Sequence, residues 1–182
     1  MSKKAVSVVV AAVLAFGLAG GAVAGNIEVA IPVNWRVAGT VVNVQVAPPA
    51  AGPVAGFLIQ ALVKGSPGNA QFTVVGIPNS APAPLQQCNG GFGQTFSPND
   101  MVVIFDDLSM LFAELGEGGG WICFPGAAGD PVTAVANMIV TGGTGRFEGT
   151  GGGFVGVFEG HSAGISGALS AETGTITGQI LR

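Results

Sequence analysis

Tyrosine is absent from this chain, histidine occurs once, cysteine twice, and charged side chains make up only 9% of the residues, about a third of the usual share. Each shortage excludes something. Without tyrosine, and with Trp35 and Trp121 as its two tryptophans, the chain cannot build the paired aromatic girdles of an outer-membrane barrel, and Ile180-Leu181-Arg182 is not an aromatic ending. His161 with Cys88 and Cys123 does not make a zinc set. His161 also has no nucleophile and orienting acid at a legible spacing, so no catalytic triad is read, and its place after Glu159-Gly160 suits a solvated turn. Asp106 and Asp107 are adjacent and would face opposite sides of a strand, which fits a tight turn and not the paired carboxylates of a glycosidase. No metal and no organic cofactor is implied.

Long apolar runs are also missing, with one exception at the N-terminus. Lys3 and Lys4 precede an uncharged stretch from Ala5 to Ala19, and Ala22-Val23-Ala24 offers small residues for a signal peptidase. At about 15 residues, interrupted by Gly17, Gly20 and Gly21, the stretch is short for a membrane span of about 20. Residues 1–24 therefore read as a signal peptide, 25–34 as an N-terminal segment, and 35–182 as a single domain exported to the periplasm or beyond, with no integral membrane segment. Export places Cys88 and Cys123 where a disulfide persists. Cleavage also removes two of the six basic residues and none of the ten acids, leaving a net charge of −6 that argues against nucleic acid as a partner.

What is abundant is glycine, 32 residues of it, set among Val, Ile, Thr and Phe that alternate with small or polar residues. That pattern predicts strands at Trp35–Ala47, Val54–Lys64, Ala70–Ile77, Met101–Asp106, Leu108–Leu115 with a continuation at Trp121–Phe124, Val132–Thr141, Gly153–Gly160 and Gly164–Leu181. The last is expected to break at Glu172-Thr173-Gly174. Lys64–Asn69 and Asp106-Asp107 have hairpin-turn chemistry, whereas Pro78–Asn99 reads as an irregular loop held by Cys88. Short antiparallel strands with almost no helical pattern give an all-β fold. A closed barrel is favoured over a sandwich because closure removes edges that so few charges could protect.

Val140–Gly149 is the most distinctive segment. Gly143-x-Gly145-x-x-Glu148 puts a carboxylate where a dinucleotide fold needs its third glycine, and the glycines that follow cannot form the required helix. The structural reading gives Gly142, Gly143 and Gly145 special backbone positions beside Thr144, sets Phe147 as a plug in the barrel end, and leaves Arg146 solvated or paired. TGGTGRFEGTGGGF and the closing ETGTITGQI resemble the allene oxide cyclase and dirigent superfamily, in particular its exported bacterial members. The resemblance implies an eight-stranded barrel with an apolar interior and no cofactor. It assigns no active-site residue to any position of this chain.

Strand parity selects candidate interior residues: Phe57, Ile59 and Val63 share one face, Met110, Phe112 and Glu114 another, and Phe154 and Phe158 a third. Glu114, carried inward behind Leu108, Met110 and Phe112, is the candidate acid; the alternative parity puts Leu111, Ala113 and Leu115 inside and Glu114 in solvent. The function expected is binding of a small apolar or amphipathic molecule, with no commitment to catalysis. The alternatives are a cofactor-independent isomerase or cyclase, and a structural or interaction protein whose barrel is filled by its own side chains. Oligomeric state is not legible.

Overall fold

The computed structural model describes residues 29–46, 54–79, 81–89, 91–96, 100–124, 131–162 and 169–182; the expected signal peptide, residues 1–24, lies outside them. Among the described residues ten strands run in chain order: β1 (Ala30–Val46), β2 (Val54–Ser66), β3 (Ala70–Gly76), β4 (Ala83–Pro84), β5 (Phe92–Phe96), β6 (Asp100–Phe105), β7 (Met110–Cys123), β8 (Val132–Thr144), β9 (Gly151–Ser162) and β10 (Leu169–Leu181). Eight of them close a ring in the order β7-β6-β3-β2-β1-β10-β9-β8, and β8 pairs back onto β7. Every pairing is antiparallel, so the molecule is a closed eight-stranded antiparallel barrel.

Three boundaries differ from the sequence expectation. β1 begins at Ala30 instead of Trp35, because Ala30 to Asn34 pair in register with Thr177 to Leu181. β10 runs unbroken through Glu172-Thr173-Gly174, since Glu172 and Thr173 are held between Gly39 and Ala38 on one side and Gly160 and Glu159 on the other. The loop expected over Pro78–Asn99 contains β5, which pairs with the second half of β7 while β6 pairs with the first half. No helix among the described residues is long and apolar enough to cross a membrane.

Parity is kept along each strand except at two register shifts where β7 pairs with β8, between Phe112 and Ala113 and between Leu115 and Gly120. On β2, Phe57, Ile59, Ala61 and Val63 are buried while Gln60, Leu62 and Lys64 are exposed. On β7 the inner set is Leu111 and Ala113, whose neighbours Val103 and Met101 on β6 are equally buried. Met110 and Phe112 are half-buried on the opposite side and Glu114 is exposed, so the alternative parity, with Leu111 and Ala113 inside and Glu114 in solvent, is the one found, and the inward placement of Met110, Phe112 and Glu114 is corrected. The cause is register. Once Met101, Val103 and Phe105 fill the interior, the short turn at Asp106–Leu108 leaves β7 only the parity that brings Leu111 opposite Val103.

One end of the barrel is solidly packed. Trp35 and Phe147 are almost fully buried there; Phe105 packs against Trp35 at 6.0 Å and Phe147 at 4.6 Å between ring centroids, and Trp35 meets Phe154 edge-on at 6.3 Å. The Trp35 indole N–H donates to the Gly68 carbonyl at 2.8 Å, which ties β1 to the β2–β3 turn.

Phe147 reaches the interior because Gly145, at φ +60°, opens a short 3₁₀ turn over Gly145–Phe147. Arg146 lies over the rings of Phe105 and Phe147, 4.5 and 4.8 Å from their centroids, and pairs with Asp107 at 3.3 Å. A hydrogen bond from the Ser109 hydroxyl, with help from the Ser109 backbone N–H and from Arg146, holds the Asp107 carboxyl below the usual carboxylate range. TGGTGRF is thus the cap of the packed end.

Cys88 and Cys123 form a disulfide that joins the start of the β5 arm to the end of β7 across 35 residues. Two stability predictions follow from these placements. Replacing both cysteines by serine costs about 4 kcal/mol through the longer-range freedom of the unfolded chain, read as a lower midpoint in urea. Phe147→Ala costs about 3–5 kcal/mol, against about 1 kcal/mol for Arg146→Ala at the exposed ion pair; equal losses at the two positions would contradict the plug.

Candidate ligand-binding cavity

At the opposite end of the barrel, where β1, β7 and β9 finish and β2, β8 and β10 begin, the described side chains leave space. A cavity of about 670 Å³ occupies it, lined by Phe57, Ile59, Phe72, Val74, Phe96, Met101, Met138, Phe158 and Ile176, among others. The space exists because the inward positions there alternate large with small. β8 contributes Val132, Ala134 and Ala136, and β9 contributes Gly156 and Gly160 on either side of Phe158.

A Cβ on Gly156 would stand 2.5 Å from the Phe158 ring, and one on Gly174 would stand 2.8 Å from it, so that ring covers both glycines and meets Phe72, from the opposite side of the barrel, across the lumen. Phe72 stacks on Phe158 with centroids 6.3 Å apart, and Phe57 meets Phe96 edge-on at 5.5 Å. The wall is continuous and aromatic, with Asn43, Gln45 and Gln94 as neutral polar groups.

Among the described lining residues one ionises. Glu172 is 5% exposed, and its Oε2 has no hydrogen-bond partner among the described residues. The residues directly beside it on both neighbouring strands are glycines, Gly39 on β1 and Gly160 on β9; Ala61 fills the space over Gly39, whereas the space over Gly160 is open. The charged residues of those two strands, Arg36, Glu159 and His161, are exposed on the outer face. Burial without a counter-charge pushes the Glu172 carboxyl up to about 7.

Of the residues singled out from sequence, Phe57, Ile59, Phe154 and Phe158 line this cavity. Met110, Phe112 and Glu114 do not, and stand on the outer face of β7. Glu172 was missed. Its signal was present: Glu172, Gly174, Ile176, Gly178 and Ile180 share one parity, and both isoleucines are buried. Turn chemistry in Glu172-Thr173-Gly174 masked it. No group of three or more potential metal ligands occurs among the described residues.

Comparison with known proteins yields little. No family model matches the chain, and no curated protein matches it. Among solved structures, that of a pterocarpan synthase dirigent protein is similar at 12% sequence identity and a TM-score of 0.31, covering 91% of this chain and 96% of that one. A likeness of that size carries no weight for site or activity.

Glu172 makes stability depend on pH in a definite sense. Its folded-state pKa is raised, so between about pH 4.5 and 7 the native state keeps a proton that the unfolded chain has released, and stability falls as pH rises through that window. Complete above pH 7, the loss amounts to about 3 kcal/mol. From pH 4 to pH 8 the stability of Glu172→Gln should therefore gain about 3 kcal/mol relative to wild type in denaturant titrations; a difference that does not change with pH would contradict this assignment.

Proposed function

We propose that this chain is an exported barrel that binds one small apolar or amphipathic molecule in the open end of its lumen. The cavity carries the proposal. Its volume of about 670 Å³ falls in the range of small-molecule sites, about 300–1,000 Å³, and its aromatic wall with few polar groups is the lining such sites use. A barrel of eight strands has the bore to hold one small ligand. Phe57, Ile59, Phe154 and Phe158 supply the apolar contact in this reading, with Glu172 as the polar anchor.

Export is supported by the N-terminal sequence pattern and is compatible with the Cys88–Cys123 bond. The resemblance of TGGTGRFEGTGGGF to the exported bacterial allene oxide cyclase-like proteins points the same way. A second reading, cofactor-free isomerisation with the pocket shaping a reactive substrate, is favoured by one observation. Glu172 is a carboxylic acid that still holds its proton near neutral pH and is positioned to give it up. A barrel filled by its own side chains, the third alternative from sequence, has this cavity against it.

Titration with N-phenyl-1-naphthylamine, a neutral probe whose fluorescence rises in apolar surroundings, tests the binding reading. One equivalent should bind to the wild type. Ala136→Trp places an indole in the lumen and should weaken binding at least about tenfold, as removal of most of the apolar contact demands. Equal binding by the variant would place the probe elsewhere and overturn the proposal.

A further inference from the structure

We infer that the preferred ligand class is an apolar molecule carrying an amine, with Glu172 as its counter-ion. This rests on the reading of the lumen as a ligand site and adds the chemistry of the ligand's polar end.

Three observations converge. Among the described lining residues Glu172 alone ionises, and no Lys, Arg or His is among them to compensate it. Its Oε2 is buried with no hydrogen-bond partner among the described residues, an acceptor directed at the lumen with nothing to accept from. Gly160 flanks it on β9 and lines the cavity, with no atom closer than 3.8 Å to where its Cβ would stand, so a ligand group has room to approach from that side.

An ammonium supplies what is missing: hydrogen-bond donors for the carboxylate oxygens and a positive charge in a low-dielectric site, where charge-assisted bonds are strongest. A hydroxyl supplies a hydrogen bond and no charge. A carboxylate or phosphate would be desolvated beside a second acid with no cation nearby, so anionic lipids are selected against.

Proton balance sets the pH dependence. An alkylammonium, with a pKa of about 10, arrives charged, and a Glu172 that is still protonated must release its proton to solvent when the ion pair forms. Below pH 7 each bound amine therefore displaces up to one proton, and its affinity falls by up to about tenfold per pH unit. Arg36, Glu159 and His161, the charged residues on the strands beside β10, lie on the outer face and stay in solvent when the pair forms.

The test is displacement of N-phenyl-1-naphthylamine by decylamine, 1-decanol and decanoate, three ligands with one chain length and different heads. At pH 8, decylamine should bind at least about tenfold more tightly than decanol, and decanoate more weakly than both. The advantage of amine over alcohol should shrink as pH falls from 8 to 5.5. Glu172→Gln should reduce it to within about threefold. Decanol binding as tightly as decylamine, or an amine preference that neither pH nor Glu172→Gln changes, would overturn the inference while the ligand-binding reading stands. Failure of the probe itself to bind would overturn both.

Discussion

Closure between β7 and β8 is the constraint on which the rest of the molecule depends. With that ladder made, each of the eight ring strands has a partner on both sides, and every residue must point either into a lumen or out to the surroundings. Nothing can be shared between the two faces. A shift of one residue on any strand would exchange its whole inner set for its outer set, so a few well-packed pairs fix parity for the whole ring. Val103 opposite Leu111, both fully buried, is one such pair.

Within that frame, side-chain size divides the lumen. The packed end is filled by Trp35, Phe105 and Phe147, with Arg146 lying across two of the rings. Toward the other end, alanine takes two successive inner positions on β8 and glycine alternates with phenylalanine on β9, while Phe72 and Phe158 meet from opposite sides of the ring. Solid packing in one half supports an unfilled half, which would be costly for a barrel with no plug, since unfilled apolar volume weakens a core. Glu172 follows the same logic. Buried on the wall of the unfilled half, its Oε2 has no hydrogen-bond partner among the described residues.

Much of this was legible in the sequence, and the failures have physical causes. The class of fold followed from period-two patterning and glycine-rich turns, and the disulfide followed from compartment and count. β2 and β9 read correctly because only one of their faces carries a consistent apolar set. β7 did not, because Met110, Leu111, Phe112 and Ala113 are apolar on both faces, and only the partner strand decides between them. Glu172-Thr173-Gly174 has turn composition, yet the pairing of both neighbours along its length holds it extended. Local propensity yielded to the ladder there, and the one buried acid of the lumen was hidden as a result.

The account stands on an open lumen that accepts an apolar molecule beside Glu172. A crystal structure of the protein grown with N-phenyl-1-naphthylamine tests that most directly. Density for the probe between Phe57 and Phe158, at the open end and next to Glu172, is the predicted result. A lumen closed by inward rotation of Phe72 and Phe158, with the probe absent or on the outer surface, would contradict it.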